Sequence, residues 1–196
     1  MTKPTDFIKI YDDVISKDMC SEIISIFEDH PVHHHDVDQD SRPKFTELNY
    51  TSNVENYGAK SVGIHSLILE SLIEKKKEYF DEVYSKAADD TLLVPETHGW
   101  EQFRIKRYLS GEDQFKEHVD VGDAESAKRY LAFILYLNQG FEGGQTEFTS
   151  YGLTITPRTG RLVIFPPLWT YPHEGRKITN PPEGKKYILS TYLNYL

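Results

Sequence analysis

Cysteine is almost absent from this chain: Cys20 is the only one among 196 residues. That excludes an intramolecular disulfide and a zinc-thiolate site and suits a reducing compartment, with Cys20 itself expected as a small buried apolar residue. Long hydrophobic runs are missing too. The longest, Leu131 to Leu137, has the length of a strand, well short of the ~20 residues a membrane-crossing helix needs. The opening stretch from Met1 to Asp13 holds no apolar segment of the signal-peptide kind. A soluble, cytoplasmic protein with no membrane partner is the expectation. Positive charge is scarce, with 22 Lys and Arg against 31 Asp and Glu and a formal net charge of −9. The average surface therefore repels phosphate backbones, which makes nucleic acid a poor partner. No H-E-x-x-H motif is present, which disfavours a zinc hydrolase, and there is no internal repeat or low-complexity segment.

What is present points to a β-rich globular chain: 38% apolar residues, with 13 Tyr and 10 Phe. The length suits one domain over residues 1–196, with a helical support and loop region over 1–95 and a strand-built core over 96–196. Phe7 to Tyr11 reads as a short strand. Ser16 is placed to cap a helix carrying Ile23, Ile24, Ile26 and Phe27 that ends near His30 and Pro31. Residues 31–58 are polar and irregular, which predicts a long loop with at most a short strand around Phe45 to Tyr50. Within it His33, His34 and His35 point in different directions on an extended chain and are read as plain surface. Ile64, Leu67, Leu72, Ile73, Phe80, Val83 and Tyr84 recur at helical spacing, predicting a helix from about Lys60 to Ala87 whose first turn Gly63 breaks.

Beyond Pro95, short apolar runs alternate with glycines. Eight strands are predicted: Trp100–Leu109, Gln114–Asp120, Arg129–Asn138, Thr146–Thr149, Leu153–Thr156, Arg161–Phe165, Trp169–His173 and Lys186–Asn194. The expected fold is mainly β with a helical buttress. It is a double-stranded β-helix, the cupin-like jelly roll, with the N-terminal helices packed on one sheet. Such an open-mouthed barrel holds a small ligand.

His118, Val119 and Asp120 form an H-x-D triplet on one of these strands, and His173 follows 53 residues after Asp120. Side chains two apart on a strand share a face, about 6.6 Å from Cα to Cα. Joined by a distant histidine, they have the shape of a 2-His-1-carboxylate site that leaves one face of an Fe(II) ion open. The surrounding residues extend the pattern: Arg107-Tyr108, Gly111, Phe115, Tyr136-Leu137-Asn138, Gly143-Gly144-x-Thr146-x-Phe148, Pro157-x-x-Gly160, Phe165, His173-Glu174-Gly175 and Gly184-x-Lys186-Tyr187. In this order, over roughly residues 100–196, the chain resembles the prolyl 4-hydroxylase-like Fe(II)/2-oxoglutarate oxygenases.

The resemblance implies that His118, Asp120 and His173 hold Fe(II), and that 2-oxoglutarate is the co-substrate, with O₂ consumed and ascorbate as a reductant. It implies a basic residue for the distal carboxylate of 2-oxoglutarate. Lys186 is the choice, with Lys185 the alternative because the Asn180 to Glu183 stretch lengthens the preceding turn. Tyr108, ten residues before His118, and Thr146 are implied as further co-substrate contacts. The implied reaction is C4 hydroxylation of a peptidyl proline in a proline-containing peptide or protein, with succinate and CO₂ as co-products. Trp100, Trp169, Tyr171 and Tyr50 are candidates for an aromatic peptide groove, and the 31–58, Glu112-Asp113 and Val121 to Lys128 segments for its walls. The rivals are an oxygenase acting on a free amino acid or another small molecule, and a catalytically silent jelly-roll binding module. Nucleic-acid dealkylation is disfavoured by charge and by the sequence after His173.

Overall fold

The computed structural model of the protein describes residues 3–40, 43–84 and 98–196. Two helices form as the sequence pattern predicts. The first, α1, spans Lys17–Asp29; the Ser16 hydroxyl accepts a hydrogen bond from the Met19 amide at 3.1 Å, satisfying one of the free N-terminal donors. Cys20, Ile23, Ile26 and Phe27 form its buried face. The expected end of the second long helix, Ala87, and the change of character at Pro95 lie outside the described residues. Ala59–Tyr84 is continuous helix and buries Ile64, Ile68, Leu72 and Tyr79. Gly63 does not break it, because one glycine costs a helix only about 1 kcal/mol and the buried stripe outweighs that.

The expected loop over 31–58 is instead built structure. Strand β1 is Lys9–Tyr11; β2, His34–Asp38, pairs antiparallel with β3, Pro43–Asn49, and a single turn of helix, α2 at Tyr50–Asn53, follows. The long helix is thus α3. The hairpin escapes a periodicity search because β2 is a polar edge strand with one partner. Its neighbour β3 is covered on both sides, with Phe45 and Leu48 buried toward opposite faces. His33 and His34 are occupied structurally, by the Tyr57 hydroxyl at 3.0 Å and the Phe27 carbonyl at 2.7 Å.

The remaining strands are β4 His98–Trp100, β5 Arg104–Leu109, β6 Gln114–His118, β7 Arg129–Tyr136, β8 Glu142–Gly143, β9 Thr146–Phe148, β10 Leu153–Ile155, β11 Leu162–Phe165, β12 His173–Gly175, β13 Ile178–Asn180 and β14 Lys185–Tyr195. They form a curled antiparallel sheet in the order β1-β11-β7-β14-β5-β3-β6-β12-β9-β10, with β4 added beside β14 and β8 pairing separately with β13. This is the double-stranded β-helix expected. Three expected strands change, the first being Gln114–Asp120, which stops at His118. Trp100–Leu109 is divided between β4 and β5, because the Phe103 carbonyl turns aside to accept the Tyr50 amide at 2.8 Å. Trp169–His173 is a turn closed by Tyr171 N–H to the Leu168 carbonyl at 2.8 Å, and the strand begins only at His173.

Period-2 alternation along the long strands creates two compartments. On β14, Tyr187, Leu189 and Leu193 face α1 and α3, together with Ile105 of β5 and Leu131, Phe133 and Leu135 of β7. The opposite face, with Tyr108, Ala132, Tyr136, Phe148, Phe165 and Ile188, closes around an interior cavity. Among the described residues no helix is long and apolar enough to cross a membrane.

Gly143 and Gly144 are where the β8–β13 ribbon crosses the barrel mouth. Gly143 has φ +78°, and a Cβ there would lie 2.2 Å from the Lys177 carbonyl. Gly143→Ala should therefore lose on the order of 2–4 kcal/mol, from left-handed strain plus overpacking. Gly122→Ala, where a Cβ meets nothing within 4 Å, should stay within about 0.5 kcal/mol of wild type. Urea denaturation of the two variants measures the contrast.

Candidate active site

The register of β6 against β12 sets His118 opposite His173, so two residues distant in sequence share one face of one strand pair. Their ring centroids are 4.3 Å apart. Each ring is aimed by its own backbone: His118 Nδ1 lies 2.9 Å from the Lys116 carbonyl, and His173 Nδ1 3.1 Å from the Tyr171 carbonyl. A carbonyl only accepts, so Nδ1 carries the proton and Nε2 presents its lone pair to the cavity. Phe115 stacks on His118 at 3.4 Å, while Phe148 and Phe165 flank His173.

Asp120 arrives by a different route from the one expected. β6 ends at His118, so strand alternation does not carry the carboxylate inward. Its position is held from outside the strand. The Arg129 guanidinium donates to the Asp120 carbonyl at 3.2 Å and is itself gripped by Glu101 at 2.7 and 3.0 Å. The Tyr192 hydroxyl donates to Asp120 Oδ1 at 2.8 Å, under the Arg129 guanidinium 4.1 Å from the ring centre. The result puts Oδ1 3.6 Å from His118 Nε2 and Oδ2 3.8 Å from His173 Nε2. All three ligating atoms lie within 4.8 Å of one another.

Electrostatics favour the charge states a metal needs. Burial alone would raise the Asp120 pKa, but His173, His118 and the Tyr192 hydroxyl together hold it well below the ordinary carboxylate range. Burial lowers His173 below the usual histidine value, and Asp120 opposes this only in part. An ionised carboxylate and a neutral, correctly tautomerised imidazole are the forms that bind a divalent ion. Two imidazole nitrogens and one carboxylate on one side of a cavity fit Fe(II) with open positions.

The other expected site residues divide clearly. Tyr108, Thr146 and Lys186 line the same cavity as the triad, as do Ile188, Ser190 and Tyr192 of the Lys186 face. Lys186 is 2% exposed; its Nζ donates to the Gly144 carbonyl at 2.9 Å and sits 4.4 Å from the Tyr108 ring centre. Burial pushes its pKa down to about 7. Lys185 points out of the barrel, toward Glu28 at 3.6 Å. The Tyr136 hydroxyl donates to Thr146 Oγ1 at 2.6 Å.

The expected aromatic groove does not form. Tyr50 is fully buried and donates to the Ser61 carbonyl at 2.7 Å; Tyr171 is buried with its hydroxyl on the Pro4 carbonyl. Trp100, half-buried, packs on Phe133 beneath the helices, and Trp169 alone of the four is largely exposed, at 78%. Aromatic side chains go to whichever apolar volume is nearest, and here three of the four fill the core. Of the expected walls, the Gly122 to Lys128 stretch borders a polar groove that reaches Asp120, whereas Asp113 is buried and accepts the Leu109 amide at 2.8 Å. Glu101, Arg129 and the cavity-facing Lys106 were not singled out from sequence; the signal for Lys106 is its place two residues before Tyr108 on one strand face.

Residues 103–194 match the sequence model of the 2OG-Fe(II) oxygenase superfamily. A probable prolyl 4-hydroxylase from Arabidopsis thaliana is 31% identical over 115 residues, covering 48% of this chain and 39% of that protein. The chain thus spans well under half the length of that relative. Among solved structures, a viral collagen prolyl hydroxylase from Paramecium Bursaria Chlorella virus-1 superposes with TM-score 0.67 at 18% identity, over 97% of this chain and 96% of that one. A prolyl hydroxylase from Trichoplax adhaerens, solved with a peptide of the hypoxia inducible factor oxygen degradation domain, gives 0.72 at 12%, over 97% and 84%. At such identities these two show a shared fold.

Removing the carboxylate should abolish the metal site: Asp120→Ala is expected to bind no Mn(II) or Fe(II) in anaerobic calorimetry. Tyr192→Phe keeps the ring but frees Oδ1, and should weaken metal binding roughly tenfold or more. Unchanged affinity in either variant contradicts the role given to that residue.

Proposed function

We propose that this chain, whose residues 103–194 belong to the 2OG-Fe(II) oxygenase superfamily, hydroxylates a C–H bond at the expense of O₂ and 2-oxoglutarate, with a peptidyl proline as substrate and its C4 as the target. The observation that carries this reading is one cavity holding the two imidazoles and the carboxylate on one side and a buried lysine in reach of the same space. Bound Fe(II) would supply the oxidative decarboxylation of 2-oxoglutarate to succinate and CO₂ that drives the hydroxylation. The chain's own part is to bind, orient and keep water out.

His118, Asp120 and His173 are assigned to the metal. Lys186 is assigned to the distal carboxylate of 2-oxoglutarate, because a desolvated ammonium attracts an anion far more strongly than a surface lysine does. Lys185, drawn outward to Glu28, is displaced from that role. Thr146 accepts from Tyr136, which leaves its own proton to donate to the same carboxylate. Tyr108, whose pKa burial raises well above the ordinary phenol value, stays a neutral donor there. The whole of 1–196 is read as one oxygenase domain, and the lone buried Cys20 fits a reducing, cytoplasmic setting. The proline assignment draws on the prolyl hydroxylases among the similar proteins.

The direct test is anaerobic loading with Fe(II), followed by O₂, 2-oxoglutarate, ascorbate and a panel of proline peptides. Succinate formation with a one-oxygen gain on proline by mass spectrometry is expected; succinate without any modified peptide would reject proline as the substrate. Lys186→Ala should raise the apparent KM for 2-oxoglutarate at least roughly tenfold, and Lys185→Ala should leave it within about twofold; the reverse ranking moves the role to Lys185.

A pH dependence follows from the depressed lysine. Its charged form, which a carboxylate requires, predominates below about 7 in the empty cavity. Binding above that pH must therefore take up a proton. Affinity for 2-oxoglutarate should be greatest near or below pH 7 and fall by up to about tenfold per unit above it. Lys186→Arg, cationic throughout this range, should flatten the profile, as measured by 2-oxoglutarate titration of the anaerobic Fe(II) protein.

A further inference from the structure

The cavity contains a cation that the reading above does not use. Lys106 stands on β5 two residues before Tyr108 and lines the same cavity as His118, Asp120, His173 and Lys186. Its ammonium rests over the face of Phe45, 4.9 Å from the ring centre. Phe45 in turn lies 5.3 Å from Tyr108, and Lys186 sits over the far ring. The two lysines thus flank a pair of aromatic rings, one at each end.

Lys106 makes no direct ion pair among the described residues, although Glu47 and Asp120 lie near enough to oppose in part the effect of its burial. Glu47 is directly across the β3–β5 register and would be its natural partner. The Glu47 carboxylate is instead taken by Arg104, at 2.9 Å. Asp120, the one acidic residue in the cavity lining, is committed to the two histidines and Tyr192. A half-buried ammonium that lines a cavity and is held by an aromatic face rather than by a direct ion pair is open to an anion that enters the cavity.

Charge balance says what that partner is. With Fe(II) and the dianion of 2-oxoglutarate in place, Asp120 ionised and both histidines neutral, Lys186 and Lys106 leave the cavity with one unit of positive charge. One carboxylate closes the balance, and Lys186 is already used by the co-substrate.

We propose that Lys106 is a specificity-determining residue which holds a carboxylate of the prime substrate, next to the carbon that is hydroxylated. This rests on the oxygenase reading and adds a carboxylate to its substrate: an acidic residue beside the target proline if the substrate is a peptide, or the amino acid's own carboxylate if the free amino acid replaces the peptide. The aromatic rings between the lysines keep the two carboxylate sites apart, so that substrate and co-substrate do not compete for one cation.

Calorimetry on the anaerobic Fe(II) protein with saturating 2-oxoglutarate tests this with two matched pairs of probes. One pair is L-proline and L-prolinamide; the other is acetyl-Ala-Pro-Glu-amide and acetyl-Ala-Pro-Gln-amide. In at least one pair the carboxylate member should bind tenfold or more tightly than its amide. The preference should persist in Lys106→Arg and shrink to less than twofold in Lys106→Met. Preference in the first pair identifies a free amino acid, and in the second an acidic peptide. No carboxylate preference in either pair, or a preference that survives in Lys106→Met, overturns the proposal. So does a loss in Lys106→Met that falls on the Kd of 2-oxoglutarate, which would make Lys106 a co-substrate ligand. A wild type that takes up no 2-oxoglutarate overturns the oxygenase reading and this one with it, whereas one that binds it but ignores carboxylates overturns this one alone.

Discussion

The antiparallel pairing of β6 with β12 sets His173 against His118, and the rest of the molecule is arranged around that contact. Among the described residues β6 is reached from the main part of the sheet through β3, whose one edge is covered by β2 and whose other edge takes β5 along Thr46–Asn49 and β6 along Pro43–Lys44. β12 is fixed from its far edge by β9. Each imidazole then spends its Nδ1 proton on a carbonyl two residues back in its own chain. The same local habit, repeated on two strands, leaves two lone pairs side by side. A slip of one residue in this register would send one ring to the opposite face, so the register itself is a determinant of the metal site.

β14 ties that site to stability. Its eleven residues pair with β4, β5 and β7, and alternate positions serve different ends. Tyr187, Leu189 and Leu193 bury against the helices, while Lys186, Ile188, Ser190 and Tyr192 look into the cavity. The apolar half makes the strand's placement strongly preferred, and the polar half is carried along at no choice of its own. That is how a lysine whose burial is unfavourable is kept inside: expelling it would expose three core residues to water, at roughly 1.5–3 kcal/mol each. Tyr192 then reaches back to Asp120 and links the strand most engaged with the core to the ligand least determined by its own backbone.

These same features explain what could be read in advance. α1 was legible from Ser16 and its apolar stripe because capping and 3.6-residue periodicity are local. The histidines and Lys186 were legible from a motif order that resembles a known family rather than from periodicity, and the structure brings all three to one cavity. The β2–β3 hairpin was hidden because β2 is a polar edge and β3 is buried on both faces, so neither alternates in the usual way. Asp120 was assigned to the right site by the wrong geometry: it was expected on the strand, and it is held instead by Arg129 and Tyr192, from segments nine and 72 residues away. The aromatic groove failed for a related reason. Trp100, Tyr50 and Tyr171 carry no local mark that separates a core ring from a surface one; the helices lying over the sheet decide it.

The cavity's charges are unbalanced by design of its neighbours, and this bears on how selectivity arises. Arg104 and Arg129 each face a glutamate, Glu47 and Glu101, so the cations at the rim are neutralised within the protein. Lys106 and Lys186, further in, are supported by aromatic faces and a carbonyl instead. Desolvation lowers the pKa of both, with Glu47 and Asp120 opposing it only at Lys106. A rim that is internally paired gives weak discrimination, since an incoming group must break an existing bridge to gain a new one. Among the described residues neither cavity lysine has a direct ion pair to break, and an anion that reaches the buried Lys186 recovers desolvation cost already incurred. In the roles proposed for Lys106 and Lys186, recognition is concentrated at the depth where His118, Asp120 and His173 lie, so that an anion held by either lysine is brought beside them.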